Sequence, residues 1–221
     1  MAGGREQLID TAERLFAERG IAAVSLREIG GAAGHRNNSA AQYHFGTREG
    51  LVDAIFETRM GPIDEARRAM LEQHEADGRL TDVRALCEAF IHPLAASLVA
   101  SGGASWYARF LAQVVFDPEF ELLARRRYPV THGLRRTIDL LDATMTDLPP
   151  VLRGERLQLA ASLVVHSLAD RERAAQAGRL APRATPALLA ADLVDAMHAV
   201  LVAPVSDAVR KELRAATRHS A

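Results

Sequence analysis

Apolar residues recur every three to four positions along nearly the whole chain, and no alternating apolar–polar run lasts more than a few residues. The pattern predicts helices and no strands. Leu8, Ala12, Leu15 and Phe16 form one apolar stripe, and Gly20 stops that helix. Ser25-Leu26-Arg27-Glu28 has the spacing of a capping box, in which the Ser25 hydroxyl accepts from the Glu28 N–H and the Glu28 carboxylate reaches back. The helix it opens covers 26–33 and ends at Gly34. A short third helix follows the cap-forming stretch 35–39 and extends to about His44. Gly46 breaks it. Thr47 caps a fourth helix over 48–59, with a joint at Gly61-Pro62. Beyond the joint the spacing predicts helices at about 63–76, 81–100, 105–116, 119–146 (broken near Pro129), 151–177, 186–202 and 206–217.

Charge and cysteine content narrow the function classes. The 221 residues carry 27 Lys+Arg against 28 Asp+Glu, a net charge of −1. A protein that binds nucleic acid through bulk positive charge is excluded, so any DNA contact must rest on local charge. Cys87 is the only cysteine, which excludes an internal disulfide and a zinc site built on several thiolates; a reduced, cytoplasmic location is expected. The first residues are charged and helix-patterned, unlike a secretion signal. The stretch 89–108 lacks Asp, Glu, Lys and Arg, but Pro93 and Gly102-Gly103 interrupt it. It reads as two buried helices around a turn, and no membrane partner is expected.

Two short helices joined at Gly34 have the spacing of a helix-turn-helix. A recognition helix must offer polar side chains to base edges and hydroxyl or cationic groups to phosphates. The third helix offers Asn37, Asn38, Ser39 and Gln42 for edges, and Tyr43, His44 and the following Arg48 for backbone oxygens. Between Gly30 and Arg48 there are two arginines, two histidines and no carboxylate. A cation at a helix start is not favoured by the helix dipole, so a phosphate partner accounts for Arg48 better than structure does. Phe45 is assigned to the core, and His44 fits either a phosphate or a packing role.

These residues resemble a family. Leu15-Phe16, Gly20, Ser25-Leu26-Arg27-Glu28-Ile29, Ala32-Ala33-Gly34 and the run Tyr43-His44-Phe45-Gly46-Thr47-Arg48-Glu49-Gly50-Leu51 are similar to the N-terminal domain of TetR-family transcriptional regulators. The resemblance covers the first quarter of the chain closely and the rest loosely. It implies an all-α protein with an N-terminal helix-turn-helix domain (1–59) and a larger C-terminal helical domain (60–221) for effector binding and dimerisation. It also implies that Ser25, Arg27, Tyr43, His44 and Arg48 touch phosphate. The chain departs from the family pattern by one extra residue before Tyr43 and by Gln42 in place of an aromatic residue. His35 or Arg36 then bulges toward the DNA backbone, and which of Asn37, Asn38 and Ser39 reaches a base is left open.

Enzyme signals are weak. No His-x-x-x-His pair occurs, His74-Glu75 lacks a second histidine, and the glycines of 30–34 follow no strand. Asp195 and His198 share a helix face and suit an ion pair or an interface. Cys87 suits a small buried hydrophobe. No cofactor or metal is expected; a helical-bundle enzyme or a ligand carrier without DNA binding is the alternative reading.

The resemblance implies a homodimer on an inverted-repeat operator, controlled by a small-molecule effector. The helices over 151–177 and 186–202 are apolar around much of their circumference and are the candidate dimer elements, with Val164 and Leu193 expected in the interface. His92, Trp106, Tyr107, Phe110, Phe116, Met145 and His166 are the candidate effector-binding residues, with plain core packing the alternative for each.

Overall fold

The computed structural model describes residues 3–35, 39–100, 105–115, 131–181, 183 and 185–219. Among them are ten helices and no strand: α1 (Gly4–Arg19), α2 (Leu26–Ala32), α3 (Ala40–Phe45), α4 (Arg48–Ala76), α5 (Val83–Ala100), α6 (Tyr107–Val114), α7 (His132–Thr144), α8 (Pro150–Gln176), α9 (Pro186–Val202) and α10 (Asp207–His219). The all-α expectation is met. Of the helix expected over 119–146, the part before Thr131 lies outside the described residues.

Helices α1 to α3 and the start of α4 pack together around Leu8, Ala12, Phe16, Ile29, Ala41, Leu51 and Ile55. Ser25 and Glu28 make the predicted box: Glu28 N–H donates to Ser25 Oγ at 3.2 Å and Ser25 N–H to Glu28 Oε2 at 3.0 Å. Thr47 Oγ1 accepts from Gly50 N–H at 3.1 Å and starts α4. Gly50 is required by space. A Cβ there would lie 2.3 Å from the Phe45 carbonyl oxygen.

The joint expected at Gly61-Pro62 is absent. Helix α4 continues through both residues to Ala76, so a division of the chain between 59 and 60 falls inside one helix. Pro62 has no N–H for the Thr58 carbonyl, but this side of α4 is exposed and water can take the vacant acceptor. The inward face, with Met60, Ile63, Asp64, Arg67, Leu71 and His74 all buried, holds the helix together.

Pro93 has the same effect inside α5, where water cannot help. It is buried, and its missing N–H frees the Ala89 carbonyl. Arg67 supplies the donor: Nε reaches Ala89 O at 3.2 Å and Nη2 reaches Phe90 O at 3.4 Å. Arg67 also donates to Asp64 Oδ1 at 3.1 Å. Asp64 in turn accepts from the N–H groups of Gly133 and Leu134, both at 2.8 Å, and so caps α7. One buried ion pair thereby ties α4, α5 and α7.

Helix α6 packs against α8 on one side and α1 on the other, while α5 and α9 pack together behind α8. Val164 and Leu193 are closed inside the single chain, at 0% and 4% exposure. Their expected place in a dimer interface is therefore corrected. They face the chain's own core, and the outward apolar residues of α8 and α9 are Val151, Leu159, Leu188 and Val202.

Candidate DNA interface and its link to the larger helical body

Helix α3 is six residues long and buries one side only. Ala41 is fully enclosed and Phe45 is half-buried against the core, with the Arg5 guanidinium 5.3 Å from its ring centre. Residues at i and i+4 share a face, so Gln42, Tyr43 and His44 must point away. All three are exposed, Tyr43 at 85%. Among the described residues, the Tyr43 ring stands edge-on to His44, with ring centres 5.3 Å apart. Nothing in the packing of the described residues needs an aromatic ring at this place. Arg27 on α2 is exposed and Arg48 at the start of α4 is half-buried, and among the described residues neither has an ion-pair partner. Ser39 is exposed beside them.

Other predicted residues stand differently. Arg36, Asn37 and Asn38 lie outside the described residues. Ser25 gives its hydroxyl hydrogen to Glu28 Oε2 at 3.0 Å, so it can donate to a phosphate only by giving up that bond. Glu28 is held as an anion: the Ser25 N–H, then Arg19, lower its pKa below the ordinary carboxylate value. His35 turns inward rather than toward DNA. It is half-buried, and its ring lies where a side chain on Gly4 would be, 3.1 Å from such a Cβ.

The sequence reading missed the junction between this domain and the rest. Glu13 of α1 is buried and accepts from Arg59 Nε of α4 at 2.5 Å and from the Trp106 N–H, at the start of α6, at 3.2 Å. Arg59 Nη2 also reaches Asp10 at 2.6 Å. Gln113 of α6 donates to the Phe16 carbonyl at 2.8 Å. On the far side of α6, Glu172 of α8 accepts from the N–H groups of Ala108 (3.3 Å) and Arg109 (3.1 Å) and pairs with Arg109 Nε at 3.3 Å. The N–H groups at the start of α6 are thus divided among Glu13 of the N-terminal helices (Trp106), Ser105 (Tyr107) and Glu172 of the larger body (Ala108 and Arg109). Burial raises the pKa of both acids, against the lowering effect of their donors. A signal was present in the sequence: Glu13 and Glu172 sit inside the apolar stripes Ile9–Ala12–Phe16 and Val165–Leu168–Ala169.

The aromatic cluster predicted to bind an effector largely builds this junction. Tyr107 and Phe110 are buried, stacked at 6.0 Å on each other, and Phe110 stacks at 6.5 Å on Phe16. Trp106 is half-buried, with the Arg109 guanidinium 4.2 Å from its ring centre. Met145 is buried in the core and His92 half-buried on α5. His166 is exposed on α8, with Nδ1 2.9 Å from the Ser162 carbonyl. Phe116 lies outside the described residues. Cys87 is buried, which pushes its thiol up to about 12 and suits the small-hydrophobe reading. Asp195 pairs with Arg84 of α5, the ion-pair role expected of it.

Residues 8–55 match the family described as bacterial regulatory proteins, tetR family, and residues 88–200 match the tetracyclin repressor-like C-terminal domain. The chain belongs to the TetR family. TetR-family proteins are DNA-binding transcription regulators, and α2 with α3 is the helix-turn-helix of this one. Over 54 residues it is 44% identical to the HTH-type transcriptional repressor KstR2 of Rhodococcus jostii (strain RHA1). That match spans 24% of this chain and 26% of the repressor. The fold is similar to that of a putative tetR family transcription regulator from Shewanella sp. PV-4, with a TM-score of 0.60, 15% identity, and coverage of 90% of this chain and 96% of that one. It is also similar to the probable transcriptional regulatory protein RHA5900, with a TM-score of 0.56, 21% identity, and coverage of 90% and 100%. Among the described residues no single helix is long and apolar enough to cross a membrane.

Proposed function

We propose that this TetR-family regulator is a cytoplasmic, homodimeric repressor that leaves an inverted-repeat operator when a small molecule binds its larger domain. The observation that carries the reading is the Glu13 junction. Helix α1 is bonded to α4 and to the start of α6 through one buried carboxylate, so a displacement of α6 cannot leave the DNA-reading domain unmoved. The exposed ring of Tyr43 and the cations Arg27 and Arg48 form the face toward DNA. Gln42 and Ser39 supply hydrogen-bonding groups for base edges, together with Asn37 and Asn38, and His44 and Arg36 stand with the backbone contacts. Trp106, at the α6 start, is the predicted effector residue closest to the junction. The outward apolar residues Leu159 and Leu188 support pairing through α8 and α9.

The test is a mobility-shift titration on the DNA upstream of the protein's own gene, with compounds first selected by thermal stabilisation of the full chain. An effector should lower operator affinity by about 5- to 150-fold, the usual span of allosteric coupling. A stabilising compound that leaves operator affinity unchanged contradicts ligand release.

A further inference from the structure

A cavity of about 220 Å³ lies where α5, α8 and the α8–α9 connection meet. It contains none of the effector-binding residues predicted from the sequence. Ala95 and Leu98 of α5, Leu168 and Ala175 of α8 and Leu189 of α9 form apolar walls. Val99 and Leu180, both exposed, mark its mouth.

Three polar residues also line it: Ser105, Arg171 and Glu172. None offers a free charge. The Glu172 oxygens are taken by the Ala108 and Arg109 N–H groups and by Arg109 Nε. Arg171 has interactions of its own. The Ser105 hydroxyl accepts from the Tyr107 N–H at 3.1 Å. A charged ligand entering here would give up its hydration for no vacant counter-charge. An uncharged apolar body gives up little and gains the buried walls. An apolar cavity of about 150 Å³ holds benzene, so this one admits a substituted ring or a chain of roughly six to eight carbons.

We infer that this cavity is a binding site for a compact, uncharged, largely apolar compound with at most one hydrogen-bonding end. Its position gives it a consequence. Two of its walls, Ser105 and Glu172, hold the first turn of α6, whose Trp106 N–H is bonded to Glu13 of the DNA-reading domain. Occupancy therefore presses on the group that joins the two domains. The binding site stands on the cavity alone; the effect on DNA rests on the ligand-release reading given above.

Trp106 is the only tryptophan and adjoins Ser105, so its emission reports the site directly. Full-length protein is titrated with hexan-1-ol, hexanoate and hexylammonium, which share a chain and differ in charge. Saturable binding of hexan-1-ol, shifting Trp106 emission and at least tenfold tighter than either ion, is expected. Ala175→Phe fills the space and should weaken hexan-1-ol at least tenfold. Leu189→Ala, whose folding does not depend on fitting a larger ring, should move the preference toward decan-1-ol. Tighter binding of either ion overturns the stated class. No saturable binding, or binding unchanged in both variants, overturns the site. Binding that follows these expectations while operator affinity stays constant upholds the site and overturns ligand release.

Discussion

Glu13 shows what a single buried acid does in this chain. Its oxygens satisfy a guanidinium and a backbone N–H that would otherwise lose water for nothing. Burial nevertheless outweighs these donors and raises its pKa above 4.5, as it does for Glu172. The folded state then binds these protons more tightly than the unfolded chain does. The contribution of both acids to stability is accordingly greatest near and below pH 4.5 and is lost as pH rises through their elevated values. Urea midpoints measured between pH 4.5 and 7 should show this fall, and Glu13→Gln should flatten it; an unchanged slope in the variant contradicts the assignment. Gly50 carries a second prediction at this scale. Gly50→Ala puts a methyl against the Phe45 carbonyl and should cost about 1–3 kcal/mol by denaturant titration, with DNA binding reduced because the α3–α4 corner shifts. Local residues of this kind were readable in advance: the Ser25–Glu28 box needs partners three residues apart. For Glu13 the apolar stripe around it marked a buried acid, but its partners were not readable, because Arg59 and Trp106 lie 46 and 93 positions away.

Helices were read well where their punctuation is local and poorly where tertiary contacts override it. The predicted span 186–202 coincides with α9, opened by Thr185 and Pro186 and followed by Pro204. Gly61-Pro62 looked like a stop, yet the buried face from Ile63 to His74 carries α4 through it. The roles of Arg67 and Asp64 were not legible in the sequence, because the carbonyl freed by Pro93 and the α7 start they serve are distant along the chain. Asp64→Ala should therefore be among the costliest single changes in the chain. It leaves Arg67 buried without its counter-charge and uncaps α7, at about 3–5 kcal/mol. Pro62→Ala should act oppositely, restoring a helical N–H at an exposed site and raising the urea midpoint. A loss of stability in Pro62→Ala contradicts the account of α4.

For the whole molecule, the helix-turn-helix was legible because its motif is compact, whereas an effector site is assembled from helices spread over a hundred residues. The aromatic cluster from Trp106 to Phe116 stood out in the sequence, but its members Tyr107 and Phe110 form the wall between domains, with Phe110 packed on Phe16. Burial also sorts the dimer prediction. Leu159→Glu and Leu188→Glu, on outward positions, should give folded monomers by sedimentation, while Val164→Glu and Leu193→Glu should fail to fold at all, with about 3 kcal/mol or more lost to a buried charge.

The central claim is that a folded, outward-facing helix reads DNA. The direct measurement is fluorescence anisotropy of the full-length protein on a labelled duplex from upstream of its own gene, across a range of salt, for the wild type, Tyr43→Ala and Arg48→Ala. Both side chains lie off the core, so both variants should keep the wild-type urea midpoint. The account predicts salt-dependent binding stronger than on random duplex, at least tenfold weaker in each variant, with the log–log salt slope reduced by about one in Arg48→Ala. Equal binding by all three proteins, or no preference for the upstream duplex over a random one, would contradict it.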